Sequence, residues 1–262
     1  MSGRLPTIGV LYGEGFNCNV ETGTAIHLAG GRPRQIHVNE LGNQSLVRDY
    51  QGLVLPGGFT KGDAVRAGIV VARQIEAGAG DQLRRFAGLG RPILGICNGF
   101  QILSALGMLP GGKIERRPTA TLAHNASGVF ECRWVDLGVR RDAASRLALF
   151  TVDNVVTLPV AHGEGRFRAN PETLQNMKEN GQILLQYSDS YGWPVSDYPN
   201  NPNGADYAIA AISCPNGNVM GSMPHFERFV DLEQHPNWRR PDFSIPEAHG
   251  LPFMRALVQM AS

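Results

Sequence analysis

Residues 93–101 read Ile93-Leu94-Gly95-Ile96-Cys97-Asn98-Gly99-Phe100-Gln101. The first four residues have the character of a short buried strand, and residues 98–106 take up helical spacing before Gly107 stops them. Cys97 therefore stands at a strand-to-helix switch inside Gly-x-Cys-x-Gly, the nucleophile-elbow pattern with sulfur in place of a serine oxygen. The glycines have a physical reason. On so sharp a turn, side chains at the flanking positions would collide with neighbouring elements. The turn lifts the sulfur clear of the sheet and sets it at a helix N-terminus, whose partial positive charge favours thiolate. Lowering a thiol pKa from ~8.5 by about two units takes roughly 2.7 kcal/mol, whereas a helix terminus supplies ~0.3–1 kcal/mol, up to ~2 in a partly buried site. The dipole alone is insufficient, so the pattern calls for a histidine partner. A buried cysteine at a strand end is the plainer alternative; the two elbow glycines and the strand–helix switch favour the nucleophile.

Outward from this turn, apolar runs at 7–12, 34–38, 52–55 and 92–96 alternate with helical stretches at 20–29, 70–87 and 98–106. Gly78 and Gly80 weaken the second helix. This alternation predicts an α/β fold with a mostly parallel central sheet and helices on both faces. After Pro110 the texture changes. Strands are predicted at 129–135, 155–160, 183–187, 207–213 and 218–223, separated by turn signals such as Asn200-Asn201-Pro202-Asn203-Gly204 and Pro215-Asn216-Gly217. They predict added antiparallel strands at the edge of the sheet. Two short helices, one after His225 and one over 251–260, close the chain. No internal repeat or low-complexity linker interrupts it, so residues 1–262 read as a single domain.

Composition narrows the function. Hydrophobic residues make up 42% of the 262 and charged residues 18%, enough for one large core. The net charge of +1 offers no broad basic surface for nucleic acid, and Arg116-Arg117 is too short a run to change that. No segment approaches membrane-spanning length, and Met-Ser-Gly-Arg-Leu-Pro carries no signal-peptide h-region. The four cysteines, Cys18, Cys97, Cys132 and Cys214, form no C-x-x-C pair; neither a zinc motif nor a redox motif is read from them. Reduced thiols in a cytoplasmic protein are expected. Cys18, Cys132 and Cys214 read as core or loop residues.

Two histidines have a carboxylate two residues on: His162-Gly163-Glu164 and His225-Phe226-Glu227. In an extended segment i and i+2 point the same way, so either Glu can fix its imidazole as the third member of a triad does. Spacing does not choose between them. His225 follows an apolar strand directly, while His162, beside two glycines, suits a loop that closes over a ligand. Val54-Leu55-Pro56-Gly57-Gly58-Phe59 is a strand entering a Gly–Gly turn, a shape able to aim backbone N–H groups at a developing negative charge. Asn98 is the natural second donor.

With these pieces assembled, Pro-Gly-Gly-Phe, Gly-Ile-Cys-Asn-Gly-Phe-Gln and the late His-x-Glu resemble a class I (triad) glutamine amidotransferase, whose fold is flavodoxin-like. More narrowly, residues 57–68 (GGFTKGDAVRAG), 158–167 (LPVAHGEGRF), 201–204 (NPNG) and 221–228 (GSMPHFER) resemble the glutaminase branch that serves phosphoribosylformylglycinamidine synthase in purine biosynthesis. The resemblance spans about residues 7–260. It implies a triad of Cys97, His225 and Glu227, an oxyanion hole at Gly58 and Asn98, and a glutamine site near Gly57, Gln101 and His162. It also implies a partner synthetase subunit and a small third subunit, with ATP and Mg on the partner and no cofactor on this chain. The lack of a G-x-x-x-x-G-K-[ST] loop agrees with that division. Lys61 and Phe226 depart from the branch, which usually has an aromatic residue and a proline there, and Asn200 replaces a common apolar residue. Residues 234–238 resemble instead the end of the long, fused form of the enzyme. Another acceptor for the ammonia, a cysteine peptidase or small hydrolase on the same elbow, and a binding module without activity are the alternatives.

Overall fold

The structure is a computed structural model and describes residues 5–145, 147 and 153–262. The first half runs β1 (Thr7–Tyr12), α1 (Asn19–Leu28), β2 (Arg32–His37), α2 (Leu46–Asp49), β3 (Gly52–Leu55), α3 (Ile69–Gly88), β4 (Ile93–Ile96) and α4 (Asn98–Ala105). The second adds β5 (Ala120–Ala123), β6 (Glu131–Val139), β7 (Val155–His162), β8 (Arg166–Ala169), α5 (Pro171–Glu179), β9 (Ile183–Tyr187), β10 (Ile209–Ser213), β11 (Val219–Ser222) and α6 (Gly250–Met260). One nine-stranded sheet has the order β2-β1-β3-β4-β11-β10-β9-β6-β7, and β5 pairs with β8 apart from it.

The sheet is parallel from β2 to β11 and antiparallel from β11 to β7. Its interior strands β3, β4, β9, β10 and β11 are buried at every residue, which is why they read as unbroken apolar runs rather than alternating ones. β11 is the last strand in sequence yet lies beside β4 in the middle of the sheet. This brings residue 225, just past the end of β11, to the end of β4, where Cys97 sits. The two strands approach over small residues. Gly95 faces Gly221 in the register, and a Cβ on Gly221 would lie 2.2 Å from the Phe100 ring.

Several boundaries differ from the sequence reading, each for a local reason. β2 starts at Arg32 because it pairs with β1 from Thr7↔Arg32 onward; as an edge strand it tolerates Pro33 and polar side chains. β6 starts later and ends later than expected, at 131–139, because it is paired on both sides, with β7 and β9. β10 starts at Ile209, since Tyr207 and Ala208 hold φ of 53° and 55°, outside any strand. The helix expected after His225 is two three-residue turns, Phe226–Arg228 and Leu232–Gln234, divided by extended backbone at Asp231. β5, β8 and α5 were not foreseen. The start of α5 was written in the chain: Asn170 caps it through Thr173 N–H at 2.7 Å, and Pro171 follows at the first helical position.

One buried side chain ties these layers together. Asn218 Nδ2, at the start of β11, donates to the carbonyls of Ala87 at 2.9 Å and Arg91 at 3.1 Å. Asn218→Ala leaves the Arg91 carbonyl without this donor and the Ala87 carbonyl with only the Gly90 N–H, and is expected to cost about 1–3 kcal/mol in urea denaturation, with little change in the site at the opposite end of the strand.

Candidate active site

Cys97 caps α4 with φ 52° and ψ −106°, a conformation a non-glycine residue adopts only under constraint. The constraint comes from close packing of backbone. Cys97 N–H donates to Ser222 O at 2.6 Å. A Cβ on Gly99 would lie 1.8 Å from Leu55 O, and one on Gly95 would lie 2.5 Å from Gly99 O. Both elbow glycines are therefore required by contact, as the sequence pattern predicts. The sulfur sits 3.5 Å from Ala161 O.

His225 leaves the end of β11 and donates its N–H to Pro159 O at 2.9 Å. Its ring Nδ1 lies 2.6 Å from Glu227 Oε1, with both side chains fully buried. Nδ1 thus carries the proton given to Glu227, which leaves Nε2, also buried, for the Cys97 and Cys18 side chains. Phe226 points away between them and stacks on Phe253 at 4.6 Å and 23°. The departure from proline thus supplies an apolar anchor on α6 and leaves the His-x-Glu geometry intact. Burial works to lower the His225 pKa, but the charges of Glu227 and Cys97 outweigh it and hold it well above the ordinary histidine value. Of the two His-x-Glu pairs left open by spacing, only this one forms a direct bond.

Gly57 and Gly58 lie against the loop after β1. Gly57 O accepts from the N–H groups of Asn17 and Cys18, both at 3.2 Å, and Phe59 N–H donates to Gly15 O at 2.7 Å. Gly58 and Phe16 bridge between those bonds, a position where the backbone groups point away from the partner strand. A Cβ on Gly57 would meet His225 Cε1 at 2.8 Å, Cys18 Sγ at 3.0 Å and Cys97 Cβ at 3.5 Å, so this glycine stands where these three side chains converge.

The other expected site residues are brought close in a different way. Gln101 is committed within the protein: its Oε1 accepts from Asn98 Nδ2 at 2.8 Å, and its Nε2 donates to Glu164 O at 2.7 Å. Asn98 Oδ1 in turn accepts from Thr60 Oγ1 at 2.7 Å. Gln101 thereby ties α4 to the 162–165 loop. His162 is buried, and its tautomer follows from its neighbour. Asn125 Nδ2 donates to the carbonyls of His162 and Val129. Its Oδ1 accepts from Gly165 N–H at 3.0 Å and faces His162 Nδ1 at 3.1 Å. Nδ1 therefore carries the proton, and Nε2 is an acceptor buried without a partner. Burial, with the nearby charge of His225 adding to it, depresses the His162 pKa to about 3, so the ring is neutral. Asn203 completes the frame, donating from Nδ2 to Gly165 O and to Tyr187 Oη, each at 2.9 Å.

Asp63, Cys18 and Tyr187 were missed as members of this region. Cys18 is buried, and Arg228 donates to its sulfur at 3.0 Å. Burial, with the charge of Cys97 adding to it, pushes the Tyr187 hydroxyl up. Asp63 is raised to about 6, by burial first and then by Glu164. An acid whose folded pKa is raised binds protons more readily in the native state, so stability is lost as pH rises from about 4 through about 6. Asp63→Asn suits the positive φ of 53° there. It is expected to raise Tm at pH 7–8, with the gain vanishing below about pH 4; a gain that is the same at both pH values would contradict the assignment.

A family model described as a CobB/CobQ-like glutamine amidotransferase domain matches residues 5–256. The "phosphoribosylformylglycinamidine synthase subunit PurQ" of Methanococcus maripaludis is 38% identical over 240 residues, covering 90% of this chain and 86% of that protein. The protein of the same name from Thermus thermophilus is 37% identical over 246 residues, covering 94% of each chain. Among solved structures, a chain of PurLQS from Thermotoga maritima superposes with a TM-score of 0.72 at 29% identity, covering 98% of this chain and 99% of that one. The glutaminase domain of a Trypanosoma brucei CTPS, at 12% identity and a TM-score of 0.54, shares the fold.

Proposed function

The chain belongs to the CobB/CobQ-like glutamine amidotransferase family, and on that basis we propose that it is the glutaminase subunit of phosphoribosylformylglycinamidine synthase. It hydrolyses glutamine to glutamate and ammonia and passes the ammonia to a synthetase subunit, a reading supported by relatives named as PurQ subunits of that synthase and by the likeness to a chain of PurLQS. Cys97 is the nucleophile, His225 the acid–base group and Glu227 its orienter. The observation that carries these roles is the buried 2.6 Å His225–Glu227 bond at the strand end beside the elbow cysteine. Residues 1–262 act as one amidotransferase domain, which the single nine-stranded sheet supports. No helix among the described residues is long and apolar enough to cross a membrane; a cytoplasmic location accompanies the purine-pathway reading.

In the proposed chemistry the Cys97 thiolate attacks the γ-carbonyl carbon of glutamine, forming a C–S bond as the carbonyl oxygen becomes an oxyanion. The N–H groups of Gly58 and Asn98 receive that oxyanion; each such donor is worth roughly a hundred- to thousandfold in rate. The C–N bond then breaks, and the protonated Nε2 of His225 gives its proton to the departing nitrogen, which leaves as ammonia. A water, deprotonated by the now neutral His225, opens the thioester to glutamate and returns the thiolate. Glu227 holds Nδ1–H throughout, so the ring always presents Nε2 to the reacting atoms. Gln101 positions the 162–165 loop in this scheme, and His162 Nε2 offers the substrate an acceptor.

Reconstitution tests the reading. The chain is combined with the synthetase and small subunits, ATP, Mg2+ and formylglycinamide ribonucleotide. Glutamine should drive formation of the amidine, with one glutamate released for each amidine made. Peptide or ester cleavage without any glutamine hydrolysis would favour the plain hydrolase instead.

A further inference from the structure

A cavity of about 200 Å3 lies along the elbow helix, beyond the reacting side chains. Its walls are the start of α3, the face of α4 that carries Gln101, Ser104 and Ala105, and β5 with Pro118 just before it. Ser104 stands about 10 Å along the helix from Cys97. Gly68 brings the walls together, since a Cβ there would lie 2.9 Å from Ile102 N. Ser104 is 3% exposed, and its Oγ is buried without a hydrogen-bond partner. A helical serine often returns its hydroxyl to the carbonyl four residues back. This one does not, and it shares its helix face with two other residues of the cavity wall, so the hydroxyl is directed into the cavity. Two guanidinium groups meet it there. Arg66 is anchored through Nη2, to Thr121 Oγ1 and Leu122 O, and Arg73 through Nη1, to Glu76 at 2.6 Å. Each keeps two further nitrogens for a ligand. The first turn of the 20-residue α3 lies at the cavity edge and adds the positive pole of that helix. Arg116 and Arg117, both exposed, precede Pro118 at the rim. Against these four cations stand Glu76 and Glu164, whose Oε2 accepts from Ala67 N–H at 3.3 Å, so positive charge remains in excess.

We propose that this cavity binds a phosphate group, held by Arg66, Arg73 and the Ser104 hydroxyl, either as inorganic phosphate or as the phosphate of a small phosphomonoester. Guanidinium forks match phosphate oxygens in pairs, and the hydroxyl donates to a further oxygen. The Arg73–Glu76 pair is half-exposed and therefore weak, so Arg73 can turn to the ligand. The cavity is smaller than the roughly 300–1,000 Å3 of sites that enclose a drug-sized ligand. It suits the phosphate itself, and a nucleoside attached to it would stay outside. Two bonds run from the cavity walls towards the proposed reaction centre. Gln101 Nε2 donates to Glu164 O at 2.7 Å, and Ala67 N–H donates to the Glu164 carboxylate. An occupied cavity would thus brace the 162–165 loop. The binding itself does not depend on the glutaminase reading.

The test is calorimetric titration of the full chain with inorganic phosphate and with AMP, at an ionic strength held constant with chloride. One phosphate should bind per chain. Arg66→Gln and Arg73→Gln should each weaken it by about tenfold or more, as loss of a charged hydrogen-bond donor does. Arg73→Gln, at a half-exposed position, serves if Arg66→Gln does not fold, and thermal unfolding of each variant shows whether it does. Ser104→Ala should weaken binding by about fivefold. Because its hydroxyl has no partner to lose, the same change should leave Tm without phosphate unchanged or higher; a hydroxyl with only a structural role would lower Tm and leave the affinity intact. AMP binding more tightly than phosphate marks a phosphomonoester as the source, and phosphate binding alone marks the free ion. A chain labelled at Cys97 by a glutamine analogue should bind phosphate as the unlabelled chain does. No saturable binding by wild type, equal affinity in every folded variant, or exclusion of phosphate by the Cys97 adduct would overturn the proposal.

Discussion

Cys97→Ala is expected to lower glutamine-dependent synthesis by about 10^4-fold or more, because no second group can form the covalent intermediate. That is a loss of about 5.5 kcal/mol of transition-state stabilisation. Synthesis from added ammonium chloride by the same complex should be unchanged, since the proposed role of this chain ends when ammonia leaves it. The split separates a lost nucleophile from a damaged assembly, which would depress both. The structural cost of the substitution should be small. The sulfur's contacts are weak ones, to Ala161 O at 3.5 Å and to the His225 ring, and relieving a bulkier side chain at φ 52° removes none of the backbone bonds that shape the elbow. A Cys97→Ala protein that still consumes glutamine would place the nucleophile elsewhere.

Gly99→Ala is expected to have the largest effect on the fold. The added Cβ would lie 1.8 Å from Leu55 O and 2.6 Å from its carbonyl carbon. These are backbone atoms of a buried strand and cannot swing aside as a flexible side chain does. Forced overpacking of this kind costs typically 1–3 kcal/mol and occasionally more, and here α4 must shift as a unit away from β3. A loss of about 4 kcal/mol would lower Tm by about 8–16 °C in a chain of this size and is a large share of a typical 5–15 kcal/mol stability. Gly78→Ala is the internal control. A Cβ there meets nothing within 4 Å and lies inside α3, so it should gain up to about 1 kcal/mol through helix propensity and a less flexible unfolded chain. If the two alanines behave alike, the close packing at the elbow is not what the positions report.

The parallel half of the sheet and the elbow were legible because local chemistry determines them. β3 and β4 are covered on both faces and show it as unbroken apolar runs, and Gly95 and Gly99 are dictated by contacts within a few residues or one strand away. The proposed catalytic base was half legible. His162-Gly163-Glu164 and His225-Phe226-Glu227 have the same spacing, and what separates them is the extended backbone after β11 and the stacking of Phe226 on Phe253, which joins residues far apart in the chain. Cys18 and Asp63 were not legible as parts of the site at all. Cys18 is brought to His225 by the pairing of the 15–18 loop with the Gly57-Gly58 turn, and nothing in a lone cysteine after a glycine-rich turn announces that contact. Asp63 owes its raised pKa to burial and to Glu164, a hundred positions on. Gln101, expected near the glutamine site, is bonded to Asn98 and Glu164, partners that its sequence position does not announce. An amide in the first turn of a buried helix has so many possible partners that its sequence position does not choose among them.

The assignment of Cys97 as the glutamine-reactive group can be tested most directly by labelling. The chain, assembled with its synthetase and small subunits, is treated with a glutamine-analogue electrophile with and without excess glutamine, and the adducts are located by mass spectrometry. A single adduct on Cys97, suppressed by glutamine, is the predicted result. Adducts on Cys18, Cys132 or Cys214 in its place, or labelling of Cys97 that glutamine does not suppress, would contradict it.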